Sequence, residues 1–71
     1  MTTECEGKAS WPELVGVYGE TAAATIKREN PYVDRAVLVP EGSAVTADWR
    51  CNRVFIWINK AGYVYEIPTI G

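Results

Sequence analysis

Seventy-one residues with a net charge of −2, 23% charged and 48% hydrophobic, describe one small globular domain over residues 1–71 rather than a disordered chain. There is no basic stripe to displace counterions from nucleic acid, and the longest apolar run, Val54 to Ile58, falls far short of the ~20 residues a membrane span needs. The chain has no histidine, which excludes Ser-His and Cys-His nucleophile pairs and histidine-ligated zinc; with no Gly-rich phosphate loop either, neither an enzyme nor a cofactor or metal site is expected.

Met1-Thr2-Thr3-Glu4 lacks the basic start and apolar stretch of a signal peptide. Residues 1–19 read as an irregular arm, in which Trp11-Pro12-Glu13-Leu14-Val15-Gly16 carries enough apolar bulk to pin it to the body, with Gly16 and Gly19 as turns. A helix is expected from about Glu20 to Glu29. Ala22-Ala23-Ala24 supplies propensity, and Ala22, Ala23 and Ile26 share a face. Asn30-Pro31 stops it, because a residue before proline is pushed out of the helical region.

Arg35 to Val39 reads as a short apolar strand closed by Pro40-Glu41-Gly42. From Asn52 to Asn59 the residues alternate, with Val54, Ile56 and Ile58 on one face and Arg53, Phe55 and Trp57 on the other. Lys60-Ala61-Gly62 turns the chain and Tyr63-Val64-Tyr65 is expected to return as a strand. Ile67 to Gly71 forms a terminal segment that Pro68 keeps at a sheet edge. The fold class is α+β: one α-helix on a small mixed β-sheet with a long exposed loop. The dispersed carboxylates read as solvated surface.

Cys5 and Cys51 are spaced too widely for a CxxC redox or zinc pair. A core this small is marginal, since a 60-residue domain buries only about 60% of the surface its unfolded chain exposes. One structural disulfide is therefore the favoured reading, with two reduced thiols in a reducing compartment as the alternative. That disulfide would point to an oxidising compartment or an extracellular target.

Glu41 to Trp49 has no structural task in this plan, and long loops in compact domains are usually functional. Val45 and Thr46 are β-branched and favour extended backbone, the form in which a serine protease reads its substrate. Arg50 and Arg53 are forked donors able to hold such a loop from beneath, with Thr46 and Asp48 as acceptors.

Four segments in order resemble the potato inhibitor I family of serine-protease inhibitors, the group of eglin-type and squash-seed inhibitors. These are Ser10 to Gly16, Ala22 to Pro31, Gly42 to Val54, and Pro68-Thr69-Ile70-Gly71. The resemblance implies substrate-like, reversible inhibition by a loop at about residues 41–50, in the setting of plant defence. It implies a reactive bond Ala47–Asp48, with Ala47 entering the primary pocket. Ala44, Val45 and Thr46 line the cleft before it, and Trp49 and Arg50 follow on the leaving side. It further implies that Arg53 supports the loop and that Cys5 and Cys51 pair as in disulfide-bearing plant members.

Two departures from the family pattern carry functional content. Familiar members place a large apolar or basic residue where this chain has Ala47, so an elastase-like or subtilisin-like partner is expected and trypsin is expected to be a poor one. Phe55 stands where many members carry a second arginine, and is expected to support the loop by packing. Tyr32 to Arg35 is one residue longer than the usual link, and Thr69 replaces a basic residue. A monomer is expected. A non-inhibitory storage or protein-interaction domain on the same scaffold is the alternative reading, and a redox protein using the two cysteines is a remote third.

Overall fold

The computed structural model describes residues 5–71; Met1–Glu4, where the signal-peptide reading falls, lie outside the described residues. Helix α1 (Gly19–Glu29) packs on one face of a three-stranded sheet with the order β1 (Arg35–Pro40), β2 (Arg53–Ile58), β3 (Thr69–Ile70). β1 and β2 run parallel, and β2 and β3 run antiparallel. A parallel pair requires a crossover connection, and an α-helix usually provides it. Here the crossover is residues 41–52, which contain no helix or strand.

The register divides the sheet into two faces. Ala36 pairs with Val54 and Leu38 with Ile56, on the helix side. There Val54, Ile56, Ala22 and Ile26 are fully buried in one cluster with Trp11. Arg35 pairs with Arg53, Val37 with Phe55, and Val39 with Trp57, on the side the crossover spans. The alternation expected over β2 is therefore the arrangement found.

α1 starts one residue earlier than expected, and this changes the role of Gly19. It is the first helical residue, not a turn. A Cβ there would lie 2.8 Å from Ile58 Cγ2 and 3.1 Å from Leu38 Cδ2, so glycine is what lets the helix start sit against the sheet. Gly16 does occupy a turn, with φ of +91°. The arm is more ordered than expected, because Pro12–Leu14 forms a 3-10 turn. Trp11 is completely buried, and its indole Nε1 donates to Glu29 at 3.0 Å.

Tyr63 to Tyr65 does not form the expected strand. It makes only isolated antiparallel bridges, Ile58 with Val64 and Tyr18 with Tyr63. Both backbone groups of Val64 bond to the arm, its N–H donating to Val17 and its carbonyl accepting from Gly16, while the Tyr63 carbonyl accepts from Asn59 and the Tyr65 N–H donates to Trp57, so the segment lies between the arm and β2. The third strand is instead Thr69–Ile70, at the edge beside Pro68.

Asn30 does more than end the helix. Its side chain is fully buried, and Nδ2 donates to the carbonyls of Glu6 and Lys8, both at 2.9 Å. Its Oδ1 accepts from Tyr32 N–H at 2.9 Å. One amide thus ties the arm, the helix end and the following turn together. In the link from Tyr32 to Arg35, the N–H groups of Asp34 and Arg35 both donate to the Asn52 carbonyl at 3.1 Å.

Candidate functional site

All ten residues from Glu41 to Arg50 are exposed. The loop leaves the sheet at Pro40, turns at Gly42 (φ of +86°), crosses the face bearing Val37, Val39 and Phe55, and rejoins at Arg53. Beneath Ser43–Thr46 lies an open cleft of about 440 Å³, walled on the sheet side by Arg35, Val37, Val39, Arg53 and Phe55. The first half of the loop is therefore not packed onto the sheet.

Arg53 is the central support. It is 8% exposed, among a core that is otherwise almost wholly apolar, and an arginine is almost never buried this far unless it is paired. Its Nε donates to the Gly71 carbonyl at 2.7 Å and its NH2 group to the Asp48 carbonyl at 2.8 Å. Two longer contacts of 3.4 Å reach Thr46 Oγ1 and Asp48 Oδ1. The guanidinium carbon lies 4.4 Å from the centre of the Phe55 ring, within the range of a cation–π contact. Phe55, where a second forked donor was missed from the family pattern, is thus the surface on which the remaining fork is stacked.

This geometry brings together Thr46, Asp48, Arg53 and Phe55, and leaves Ala47 at a bend between the two braced residues. Arg50 reaches Asp48 Oδ2 at 2.7 Å, but both side chains are solvated. Exposed pairs of this kind contribute only about 0–1 kcal/mol. The Asp48 carboxyl is held well below the usual carboxylate range, first by the Thr46 hydroxyl, then by Arg50 and Arg53. Ala44 and Val45 make no side-chain hydrogen bonds to the body, as their composition requires, and Val45 is an exposed apolar side chain.

Cys51, two residues before Arg53, is joined to Cys5 by a disulfide with a Cα–Cα distance of 5.2 Å. The bond spans 46 residues of chain and encloses the Ala47–Asp48 peptide. The reduced-thiol alternative is thereby set aside. Among the described residues there is no cluster of His, Cys, Asp or Glu able to hold a metal ion.

Two contributors went unread in the sequence. Gly71 supplies the acceptor for Arg53 Nε, and its N–H returns a 2.9 Å bond to the Arg53 carbonyl. A main-chain acceptor leaves no residue-type signal. The second is the seat of Trp49: a methyl group placed on Gly71 would lie 3.3 Å from Trp49 Cδ1 and 3.4 Å from Nε1. Only the run of a bulky aromatic in the loop and a glycine after the last strand hinted at that contact.

The sequence matches the model of the potato inhibitor I family over residues 3–71. It is 56% identical over 69 residues to an inhibitor of trypsin and Hageman factor from Cucurbita maxima, covering 97% of this chain and all of that one. Identity to a trypsin/subtilisin inhibitor from Amaranthus caudatus is 49% over 67 residues, covering 94% and 96% of the two chains. In three dimensions the fold superimposes on the crystal structure of bitter gourd trypsin inhibitor with a TM-score of 0.91 at 52% identity, covering 97% of this chain and all of that one. Helix, mixed sheet, braced loop and near full-length matches agree: the chain belongs to the potato inhibitor I family.

Proposed function

We propose that this protein inhibits serine proteases by laying Ala44–Arg50 into the enzyme's cleft as an extended, substrate-like strand, with Ala47–Asp48 as the bond presented to the catalytic serine. The observation that carries this reading is the Arg53 guanidinium. From beneath the loop it contacts Thr46 and Asp48, the neighbours of Ala47 on either side, and leaves Ala47 itself exposed. A loop held in its bound form before binding loses little further freedom on docking, and affinity rises accordingly.

Ala47 sets the choice of enzyme. Its methyl group cannot fill a deep apolar pocket and offers no cation to a pocket carboxylate. Each absent buried CH2 forgoes about 0.8 kcal/mol. Enzymes with small or permissive pockets, elastase-like or subtilisin-like, are the proposed targets; the Amaranthus relative inhibits subtilisin as well as trypsin.

The test is a panel of inhibition constants against an elastase, subtilisin, chymotrypsin and trypsin. Tight stoichiometric inhibition of the first two, with trypsin far weaker, is expected. Nanomolar inhibition of trypsin without inhibition of elastase or subtilisin would overturn the specificity. Plain proteolysis by all four would overturn inhibition altogether.

A further inference from the structure

The two halves of the loop are held very differently. Between Glu41, whose carboxylate accepts from Lys60 N–H at 3.0 Å where the loop leaves the sheet, and Ala47, the one side-chain bond to the body is the long 3.4 Å contact from Arg53 to Thr46, above an open cleft. After it, the Asp48 carbonyl accepts a short bond from Arg53, Trp49 rests on Gly71, and Cys51 is fixed by its disulfide. Gly71 is itself locked to β2 in both directions, donating to the Arg53 carbonyl and accepting from Arg53 Nε. The seat under the indole is therefore a rigid piece of main chain.

We infer that Trp49 is a positioning residue: its ring, clasped on Gly71, holds the Asp48 end of the reactive bond in place both before and after that bond is cut. The inference rests on the reactive bond proposed above. Trp49 is 52% exposed, so one part of the ring is available to a protease while another lies against Gly71. A methyl group on residue 71 would press on the indole at 3.3 Å and displace the ring by a few tenths of an ångström.

The chemical consequence concerns resynthesis. When the protease serine attacks the Ala47 carbonyl, the Ala47–Asp48 C–N bond breaks, an ester forms to the serine oxygen, and Asp48 is left with a free amine. If that amine stays where it was released, it attacks the ester carbon again. The C–N bond reforms, the ester C–O bond breaks, and the amine's proton passes through the enzyme's general base to the serine oxygen. Hydrolysis wins only when water reaches the ester first. By keeping Asp48 from swinging away, Trp49 favours the return path.

Nuclear magnetic resonance reads the clasp without any protease. The α-protons of Gly71 lie against an indole and are expected to show ring-current shifts, lost in Trp49→Ala and retained in part in Trp49→Phe. They are expected to persist in protein cleaved at Ala47–Asp48 with its disulfide intact. In the presence of a catalytic amount of an inhibited protease, Trp49→Ala and Gly71→Ala should each move the equilibrium between intact and cleaved protein towards the cleaved form by about tenfold, because without the clasp the cleaved chain alone gains the backbone freedom of about one released residue. Trp49→Phe should recover part of that change. Gly71→Ala leaves the residues that face the enzyme chemically unaltered; both variants lose the Trp49–Gly71 contact and are expected to show a modestly lower denaturation midpoint, so the equilibrium constant of the folded protein, and not the midpoint, is the readout. Ordinary Gly71 α-proton shifts in the intact inhibitor, or an equilibrium constant unmoved in Trp49→Ala, would overturn the inference. Ring-current shifts in a protein that inhibits none of the four proteases would instead overturn the proposed function, and the resynthesis role with it.

Discussion

Replacing Arg53 by alanine separates the loop's support from its exposed chemistry. The guanidinium makes two short bonds, to the carbonyls of Gly71 and Asp48, and two marginal ones. Hydrogen bonds from a charged group contribute roughly 1.5–3 kcal/mol each, and a cation–π contact such as that with Phe55 about 0.5–2 kcal/mol. The Asp48 carbonyl belongs to an exposed residue and regains water in the variant, so its full value is not lost. A net loss of about 2–4 kcal/mol of loop order is the reasonable sum, and at 1.4 kcal/mol per tenfold this weakens inhibition about 30- to 700-fold. Arg53→Lys should recover little, because a single ammonium cannot span Thr46, Asp48 and Gly71 as a fork does. Arg50→Ala, by contrast, removes only a solvated pair and should change the inhibition constant less than about fivefold. The assays are inhibition constants against an elastase and subtilisin, the rate of cleavage after Ala47, and the denaturation midpoint. An Arg53→Ala variant with an inhibition constant within twofold of the parent and an unchanged cleavage rate would refute the reasoning.

Ala47→Leu adds three carbon groups to the residue proposed for the primary pocket; at about 0.8 kcal/mol each it should improve chymotrypsin inhibition by about 50-fold, and an unchanged constant would remove Ala47 from that position. Reducing the Cys5–Cys51 disulfide, which closes a 46-residue separation, should cost about 4 kcal/mol in the chain-entropy account, read as a lower denaturation midpoint; cleaved protein should come apart into residues 1–47 and 48–71 only after reduction, and a reduced, cleaved form that stays associated and inhibitory would show the tether to be dispensable. The depressed Asp48 carboxyl contributes loop order that is complete above its unfolded value of about 3.9 and is lost as the pH falls through the lower folded value. Inhibition-competent structure should therefore be flat from neutral pH down past 4, and a carboxyl titration of Asp48 with its midpoint at or above that unfolded value would contradict the hydrogen bonds from Thr46 and Arg53.

What could be read in the sequence was whatever side-chain type and period encode. The alternation over Val54 to Ile58 states which face meets the helix, and the same alternation places Arg53 and Phe55 on the face the loop crosses. Helix α1 was legible from its alanines and its Asn-Pro stop. Tyr63 to Tyr65 was misread because pattern alone cannot say which neighbours take a segment's backbone bonds: Val64 bonds to the arm, and Tyr63 and Tyr65 to the end of β2 and the residue after it. Gly19 was misread for a related reason. A glycine that permits close approach to Ile58 looks the same, in sequence, as one that permits a turn. Asn30 looked like a helix stop, and its three side-chain hydrogen bonds, two to the arm and one to the following turn, depend on a fold that composition does not describe.

The same distinction explains why the loop's residues were easier to see than its mechanics. Extended-favouring side chains and forked donors advertise a braced strand, but a brace has two ends. One end of Arg53 is fixed by the loop it supports, through Asp48. The other is fixed by the Gly71 carbonyl, a group every residue possesses. Without that second anchor the guanidinium would pivot with the loop and restrain nothing, since a hydrogen bond orients its donor only if the donor is held elsewhere. Phe55 supplies a third constraint by fixing the plane in which the fork lies. Rigidity at Ala47–Asp48 is therefore a property of the last strand and the residue after it as much as of the loop. A substitution at Thr69, Ile70 or Gly71 that shifts the Gly71 carbonyl should soften the loop while leaving every residue that faces a protease unchanged.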